Sequence, residues 1–459
     1  MASRRVRVGF CLGWAASLGL ALRAGALAIA TGPEHLIALL GLGYLAAWGP
    51  YFLLSRLGPA GRAARFVACS ASMGAVWLMF EGPALVRLVD YRGVFSTPTP
   101  PWRRPGNRPD PELVFVRKGH RQERLRFAGA DLHGLKGAGP VAAYRCDLVT
   151  DRDGFRNPVD LRRADVVVLG DSFVEGLQVG AEELVSARLA ERLGAPVANL
   201  GRTGYGPQQE LHVLRRFGVP LRPRACVWAF YEGNDLQDVA AYEADRDRAG
   251  RAGVESAARD WYARGFARNG LAYLAREWLR PEPTRPAGLQ AGRFVEASGR
   301  AVPIYFSCGV HEGRAPPATP RGESAELARF RSILAEARVL CDRAGIELVV
   351  AFVPTKFRVY RDLCRFAPGS PCPGWPVDDL PRAVEAAVAS AGPGIGFVDL
   401  TPRLRAEAEA GALVYLADDT HWSAAGHRSA ARALGDRLDG RRRPDRAGSG
   451  FVAGLGPRD

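Results

Sequence analysis

The chain has no Cys-x-x-Cys pair and no histidine cluster, although it holds 8 cysteines and 7 histidines. Such spacings are what a tetrahedral zinc site needs, so no metal site is indicated, and no cofactor is expected. A dense basic block with interleaved aromatics is also missing. The chain carries 62 Lys and Arg against 48 Asp and Glu, a net +14, but the arginines are scattered along its whole length. Nucleic acid is therefore not an expected partner. Attraction to an anionic envelope or to membrane head groups fits better, and a general Arg-rich composition without functional message fits best. The low apolar content of a disordered chain is absent too. With 47% hydrophobic residues over 459 positions, two or three folded units are expected.

What the chain has in quantity is long apolar sequence near its N-terminus. One segment runs from Val8 to about Ala30, interrupted by Arg23. A second, Leu36 to Leu54, is 19 residues without a charge. A third runs from Phe66 to about Val89 and contains Glu81 and Arg87. A helix needs about 20 residues to cross roughly 30 Å of hydrocarbon. The second segment satisfies this outright, while the charges weaken the other two by a few kcal/mol each at mid-bilayer; Glu81 and Arg87 lie near an end, where snorkelling relieves them. A cleaved signal peptide is the rival reading of the first segment, given Arg4, Arg5 and Arg7, but two more apolar segments follow.

About three transmembrane helices are thus expected within 1–95. Arg4, Arg5 and Arg7 precede the first, Arg56, Arg62 and Arg65 separate the second from the third, and only Glu34 and His35 lie between the first two. The positive-inside rule then puts the N-terminus inside and everything after residue 95 outside an inner or plasma membrane. Arg103 and Arg104 oppose this, and failure of one segment to insert puts the rest of the chain in the cytoplasm. The lipid bilayer is accordingly an expected partner.

Six cysteines fall in the later part: Cys146, Cys226, Cys308, Cys341, Cys364 and Cys372. An even count permits disulfides in an oxidising compartment. Cys364 and Cys372 flank the loop "CRFAPGSPC" and are the first pair expected to bridge; Cys226, inside an apolar run, reads as a small core residue.

Residues 96–110, "STPTPPWRRPGNRPD", read as an extended Pro-rich linker, and 111–163 as a small β-rich lead-in, giving one division at 96–163. From 165 onward strands and helices alternate. Strands are expected at Val166–Leu169, Val197–Leu200, Cys226–Tyr231, 347–353, 396–400 and 412–416. Helices are expected at 182–193, 208–217, from Ser324 with Leu327, Phe330, Leu334, Ala337 and Leu340 on one face, at 381–391 and at 424–438. This alternation implies a doubly wound, mostly parallel α/β sheet over 164–440, with the site at the carboxyl ends of the strands. Residues 236–323 interrupt the rhythm as an insert, of the length that makes a lid or binding surface. Its amphipathic stretch 261–280 carries Trp261, Phe266, Leu271, Leu274 and Trp278 on one face, expected to pack on the domain. Residues 441–459 read as a flexible tail.

The expected strand ends carry chemistry. The first runs into Gly170-Asp171-Ser172, within "GDSFVEG". The second ends in "NLGRTGYG" (199–206), the third in "YEGND" (231–235), and the last in "DDTHWSAAGH" (418–427). Taken singly, each is ordinary turn or cap chemistry. Taken together they supply a serine hydroxyl, a base to activate it in His421, an acid to orient that base in Asp418 or Asp419, and oxyanion donors in the N–H groups of Ser172 and Gly204 and the amide of Asn234. His427 reads as structural.

These four blocks, in this order, resemble the SGNH or GDSL-type serine hydrolases, whose Ser, Gly, Asn and His match Ser172, Gly204, Asn234 and His421. The resemblance covers about residues 165–438. It implies a flavodoxin-like three-layer α/β/α fold and metal-free esterase or acyltransferase chemistry. The common pattern Asp-x-x-His selects Asp418 as the acid. The branch resembling alginate O-acetylation proteins, with Asp-x-His-Trp, selects Asp419. The implied activity is hydrolysis or transfer of a small acyl group, acetyl foremost, on an envelope glycan or lipid through an acyl-Ser172 intermediate. A polysaccharide O-acetyltransferase with a membrane acyl-donating partner, or a catalytically silent glycan-binding module, are the alternatives.

Overall fold

Short apolar runs bounded by glycine, proline and charge become the strands of a parallel sheet. The computed structural model describes residues 48, 55, 57–95, 101–104, 106–127, 144–252, 257–278, 290–306 and 324–439. The chain divides into two compact units, one made of residues 1–103 and 251–283, the other of 104–250 and 284–459.

The larger unit holds the sheet. Its strands are β5 (Val166–Gly170), β6 (Val197–Gly201), β7 (Ala225–Tyr231), β10 (Glu347–Val353) and β12 (Gly396–Asp399), in the order β12-β10-β7-β5-β6. All four pairings are parallel. Strands β5, β7 and β10 are apolar almost throughout because helices cover both faces of a parallel sheet. On one face Val166, Val168, Val227 and Ala351 pack with Leu189 of α4 (Val185–Leu193), Leu404 of α12 (Thr401–Glu409) and Leu434 of α13 (Ala424–Asp439). Alternate residues point the other way. There Phe230 meets Phe330 of α9 (Ala325–Ala344), ring centroids 4.7 Å apart, and α9 packs on α5 (Pro207–Val213) and α11 (Leu380–Ala391). Helix α9 begins as expected, with the Ser324 hydroxyl accepting from the Leu327 N–H at 3.2 Å. Each fully buried Val, Leu or Phe contributes about 1.5–3 kcal/mol by leaving water.

The lead-in forms two antiparallel pairs, β1 (Asn107–Asp110) with β2 (Val114–Arg117), and β3 (Gln122–Phe127) with β4 (Tyr144–Val149). Strand β1 lies inside the stretch read as an extended linker; its Pro109 sits on an edge pairing, where a missing N–H is tolerated. Within the insert, β8 (Gln290–Val295) and β9 (Ala301–Phe306) make a hairpin that β11 (Arg365–Phe366) extends antiparallel. The run 412–416 is not a strand of the sheet. Val414 and Tyr415 are buried, which explains the apolar pattern, but Tyr415 makes a single antiparallel bridge to Trp422 instead.

Cys364 is a free thiol, while Cys372 is disulfide-bonded, so the two do not pair with each other. Cys226 is free and buried in β7. Cys308 and the tail 441–459 lie outside the described residues.

The smaller unit contains α1 (Pro59–Leu85), α2 (Tyr91–Val94), α7 (Ala257–Arg264) and α8 (Phe266–Trp278). Among the described residues α1 is the one helix long and apolar enough to cross a membrane; a multi-helix membrane region is not seen there, and the first two apolar segments lie outside those residues. The amphipathic stretch is two helices broken at Gly265. Within this unit it packs on α1 and α2, where its aromatic face finds matching rings.

Candidate active site

Strand β5 is continued by a four-residue helix, α3 (Ser172–Glu175), capped by Asp171, whose carboxylate accepts from the Phe173 N–H at 2.9 Å. This turn presents the Ser172 hydroxyl at the carboxyl edge of the sheet. The opposing group arrives from a hairpin-like loop between α12 and α13. The Leu416 N–H donates to the His421 carbonyl at 3.0 Å and the Ser423 N–H to the Val414 carbonyl at 3.1 Å, closing the loop on itself. His421 Nε2 lies 2.8 Å from Ser172 Oγ, and His421 Nδ1 lies 2.5 Å from Asp419 Oδ1. A carboxylate only accepts, so Nδ1 carries the proton and Nε2 faces the serine hydroxyl with its lone pair. Asp419 is 0% exposed and also accepts from the His421 N–H at 2.9 Å. Asp418 is half-exposed on the preceding turn.

The loop is held from below. Lys356, fully buried on α10 (Lys356–Tyr360), donates to the Asp419 carbonyl at 2.9 Å and to those of Leu416 and Ala417 at 3.4 Å. The Tyr360 hydroxyl accepts from the Val414 N–H at 2.7 Å. Phe173 floors the site, its ring centroid 4.9 Å from that of His421.

Asn234 lies between the carboxyl end of β7 and α6 (Asp235–Ala252), and its side chain hydrogen-bonds Asp171, the residue before the serine. Gly204 sits in the turn after β6 with φ +82, a left-handed conformation that favours glycine. At the end of β6 a different constraint holds: a Cβ on Gly201 would stand 2.5 Å from the Glu175 nitrogen. Ser172, His421 and Asp419 are thus brought together in one hydrogen-bonded chain, with Asn234 beside it. Asp418 is not part of that chain, and His427 is buried elsewhere, accepting from the Val185 N–H at 3.2 Å.

Several residues that shape this arrangement were not singled out in the sequence. Glu175 is buried and accepts from Arg202 at 2.9 Å and from the Thr203 N–H at 2.8 Å; Arg117 of β2 lies 2.5 Å away. Burial pushes its carboxyl up, but Arg117, Arg202 and the Thr203 donors outweigh that and hold it at about 2. Glu175 therefore ties the turn after Ser172 to the loop that carries Gly204. Arg156, also buried, donates to the carbonyls of Glu175, Gly176 and Val179. Glu232, in the third block, forms a forked pair with Arg358 at 2.9 Å and accepts from the Thr355 N–H at 2.8 Å. Glu175 stands inside the quoted "GDSFVEG" as an acid directly after the apolar Phe173 and Val174, which was a usable signal. The arginines had none among 62 basic residues.

Behind the serine lies a group of buried carboxyls. Burial raises those of Asp171, Glu210 and Asp235, the last two well above the usual range; repulsion from Asp171 adds to the rise of Glu210, and repulsion from Glu210 and Asp171 to that of Asp235. The Trp228 indole donates to Glu210 at 2.5 Å and the Tyr231 N–H to Asp235 at 2.9 Å. Asp238 is pushed up to about 7 by burial and by Asp171 and Asp245. Among the described residues no group of three or more His, Cys, Asp or Glu side chains is arranged to hold a metal ion.

Residues 315–453 match the family described as "SGNH hydrolase-like domain, acetyltransferase AlgX". The matched stretch contains Asp418, Asp419 and His421, while Ser172, Gly204 and Asn234 precede it. No curated protein matches the chain. Among solved structures, a GDSL-like lipase from Bacteroides thetaiotaomicron aligns at 13% identity and a TM-score of 0.29, over 61% of this chain and 88% of the lipase. A variant of an acetyl-xylooligosaccharide esterase from Geobacillus gives 13% and 0.29, over 60% and 94%. An acetyl xylan esterase from the rumen bacterium Butyrivibrio proteoclasticus gives 10% and 0.30, over 65% and 73%. At TM-scores this low the structural likenesses carry no argument about this chain.

Proposed function

We propose that this chain is a serine-dependent acyl hydrolase or acyltransferase, acting on a small acyl ester, acetyl foremost, of an envelope glycan or lipid. The observation that carries the reading is the 2.8 Å contact between Ser172 Oγ and His421 Nε2, with Asp419 on the far ring nitrogen. The description of the family matched at 315–453 supports acetyl as the group and transfer as one course of the reaction.

In this reading Ser172 Oγ attacks the ester carbonyl carbon while its proton passes to His421 Nε2. Asp419 stabilises the imidazolium. The oxyanion is met by the N–H groups of Ser172 and Gly204 and by the Asn234 amide, each such donor supplying roughly 3–4 kcal/mol of barrier lowering. As the tetrahedral species collapses, the leaving alkoxide takes the proton from Nε2 and departs as an alcohol. Water, or a sugar hydroxyl, then gives its proton to Nε2 and attacks the acyl-Ser172 ester, releasing acid or a new ester and restoring the serine.

The membrane is the second part of the proposal. Helix α1 anchors the chain, with the apolar segments 8–30 and 36–54 as further spans and the catalytic unit on the oxidising side. The disulfide at Cys372 supports that side, and so do the arginines before the first segment and between the second and third, against Arg103 and Arg104. A membrane acyl donor is a fitting partner for the transferase branch.

The test is labelling of the purified full chain with a fluorophosphonate, followed by peptide mapping, alongside turnover of a chromogenic acetyl ester. Adduct on Ser172 and loss of turnover in Ser172→Ala are expected. Labelling elsewhere, or unchanged turnover in Ser172→Ala, refutes the assignment. Product analysis with acceptor glycan present separates transfer from hydrolysis.

A further inference from the structure

Helix α1 contains one acidic residue, Glu81, and the structure does not leave it facing outward. Glu81 is 2% exposed, and its carboxylate accepts from the Ala267 N–H at 2.5 Å, in the first turn of α8. The break between α7 and α8 makes room for it: a Cβ on Gly265 would lie 2.6 Å from Glu81 Oε2. Asn269, fully buried, holds the break by donating to the Ala263 carbonyl at 3.1 Å and the Gly265 carbonyl at 2.7 Å. A carboxylate is favoured at the start of a helix, where orphan N–H groups and the dipole meet it.

Around this buried contact the rings of the two segments interlock. Trp77 meets Trp261 at 5.9 Å, Phe80 stacks on Phe266 at 4.7 Å, and Phe95 meets Tyr273 at 5.8 Å. The remaining apolar side chains of the same end face outward. Val86 and Leu88 are 74% and 78% exposed and Leu274 is 48% exposed, with Arg87 exposed in the same rim. The body of α1 is likewise uncovered, from Val67 to Phe80.

Resting on the membrane reading above, we propose that α7 and α8 form a collar on α1 that sits at the boundary between lipid head groups and acyl chains. Three observations favour a bilayer over a protein as the occupant of the rim. The rim is continuous with the uncovered body of a helix of membrane-spanning length. The stretch from Arg62 to Glu81 rises about 28 Å at 1.5 Å per residue, close to the roughly 30 Å of hydrocarbon. The aromatic cluster lies at the Glu81 end of that stretch with Arg87 beside it, and Arg62 and Arg65 lie at the opposite end, so that rings and cations fall at the levels where they meet head groups. The collar removes from lipid the one acid that α1 would otherwise carry into it, at a level where an uncompensated charge costs a few kcal/mol.

The test is a photocrosslinking benzoylphenylalanine placed singly at Val76, Val86, Leu274 or Val339 of the full chain, in nanodiscs of phosphatidylcholine and phosphatidylglycerol. A single gel-filtration peak certifies each variant, and position 86 serves the rim if position 274 does not fold. Phospholipid adducts by mass spectrometry are expected at 76, 86 and 274 and absent at 339, an exposed position on α9. Adducts at 76 with none at 86 and 274, or protein adducts at the rim, overturn the collar and leave the anchor standing. Adducts at none of the three overturn both. Adducts at the rim without adducts at 76 support the collar and remove the span.

Discussion

Asp419 takes His421 Nδ1 at 2.5 Å, and Asp418, its neighbour in sequence, does not. The two carboxylates satisfy two different sequence patterns, and the fold distinguishes them by burial. Asp419 is closed off and aimed at the ring, with its own carbonyl held by Lys356.

Asn at the two positions should therefore act differently. Asp419→Asn leaves the ring without an acceptor at Nδ1 and should lower kcat by about 10³–10⁴-fold, as in triads where the orienting acid is neutralised. Asp418→Asn should stay within about 3-fold of the parent, having no part in the chain that ends at Ser172. Steady-state turnover of an acetyl ester by both variants decides it; equal losses would return Asp418 to the site.

Glu175 is expected to matter for both stability and turnover. Glu175→Gln leaves Arg117 and Arg202 without their buried anion, a change of about 3–5 kcal/mol in systems where one member of a buried pair is removed. The folded carboxyl lies at about 2, below its ordinary value of 4.5, so its stabilisation is complete above pH 4.5 and fades as pH falls from 4.5 toward 2. The gap in melting temperature between parent and variant should narrow over that window. Turnover should fall by up to about 100-fold with little change in KM, since a displaced loop near Gly204 misplaces a donor and not the substrate.

The buried carboxyls behind the serine predict a slope of the opposite sign. Asp238 is raised to about 7. Below its ordinary value of 3.8 it is protonated in both states and costs nothing. As pH rises from 3.8 to about 7 the unfolded chain releases the proton and the folded chain resists, so stability falls. Asp238→Asn should be more stable than the parent at pH 8 and nearly equal at pH 3.5. Thermal melts at the two pH values check it, and an Asn variant less stable than the parent at pH 8 would contradict it.

Thiol counting tests the cysteine arrangement. Under denaturing, non-reducing conditions, Cys364→Ser should remove one maleimide-reactive thiol from the parent count. Cys372→Ser should add one, by freeing its former partner. A net gain in Cys364→Ser would restore the pair suggested by the loop between the two.

How far the sequence could be read depended on how local the signal was. The strands β5, β7 and β10 were legible because their burial on both faces makes them continuously apolar, and Ser324 announced its helix through a cap that needs only three residues. The same criterion failed at 412–416. Burial alone made that run apolar, and no ladder partner is encoded within it. Ser172 and His421 were recognisable by motif, but the choice between Asp418 and Asp419 was not, because it depends on the path of a closed loop pinned by Lys356 and Tyr360 from about 60 residues away. Glu81 could be seen as a charge in an apolar helix; its role as a cap for α8 rests on a partner 186 positions on.

The lead-in strands change what can be moved from one protein to another. Arg117 and Arg156 reach across to Glu175 in the turn after β5, and Asn157 donates to the Asn199 carbonyl within β6 at 2.9 Å. A graft of this α/β unit that starts at residue 164, where the alternating pattern begins, would carry Ser172 without the braces that set it. The transplantable piece starts near residue 104, upstream of any recognisable motif.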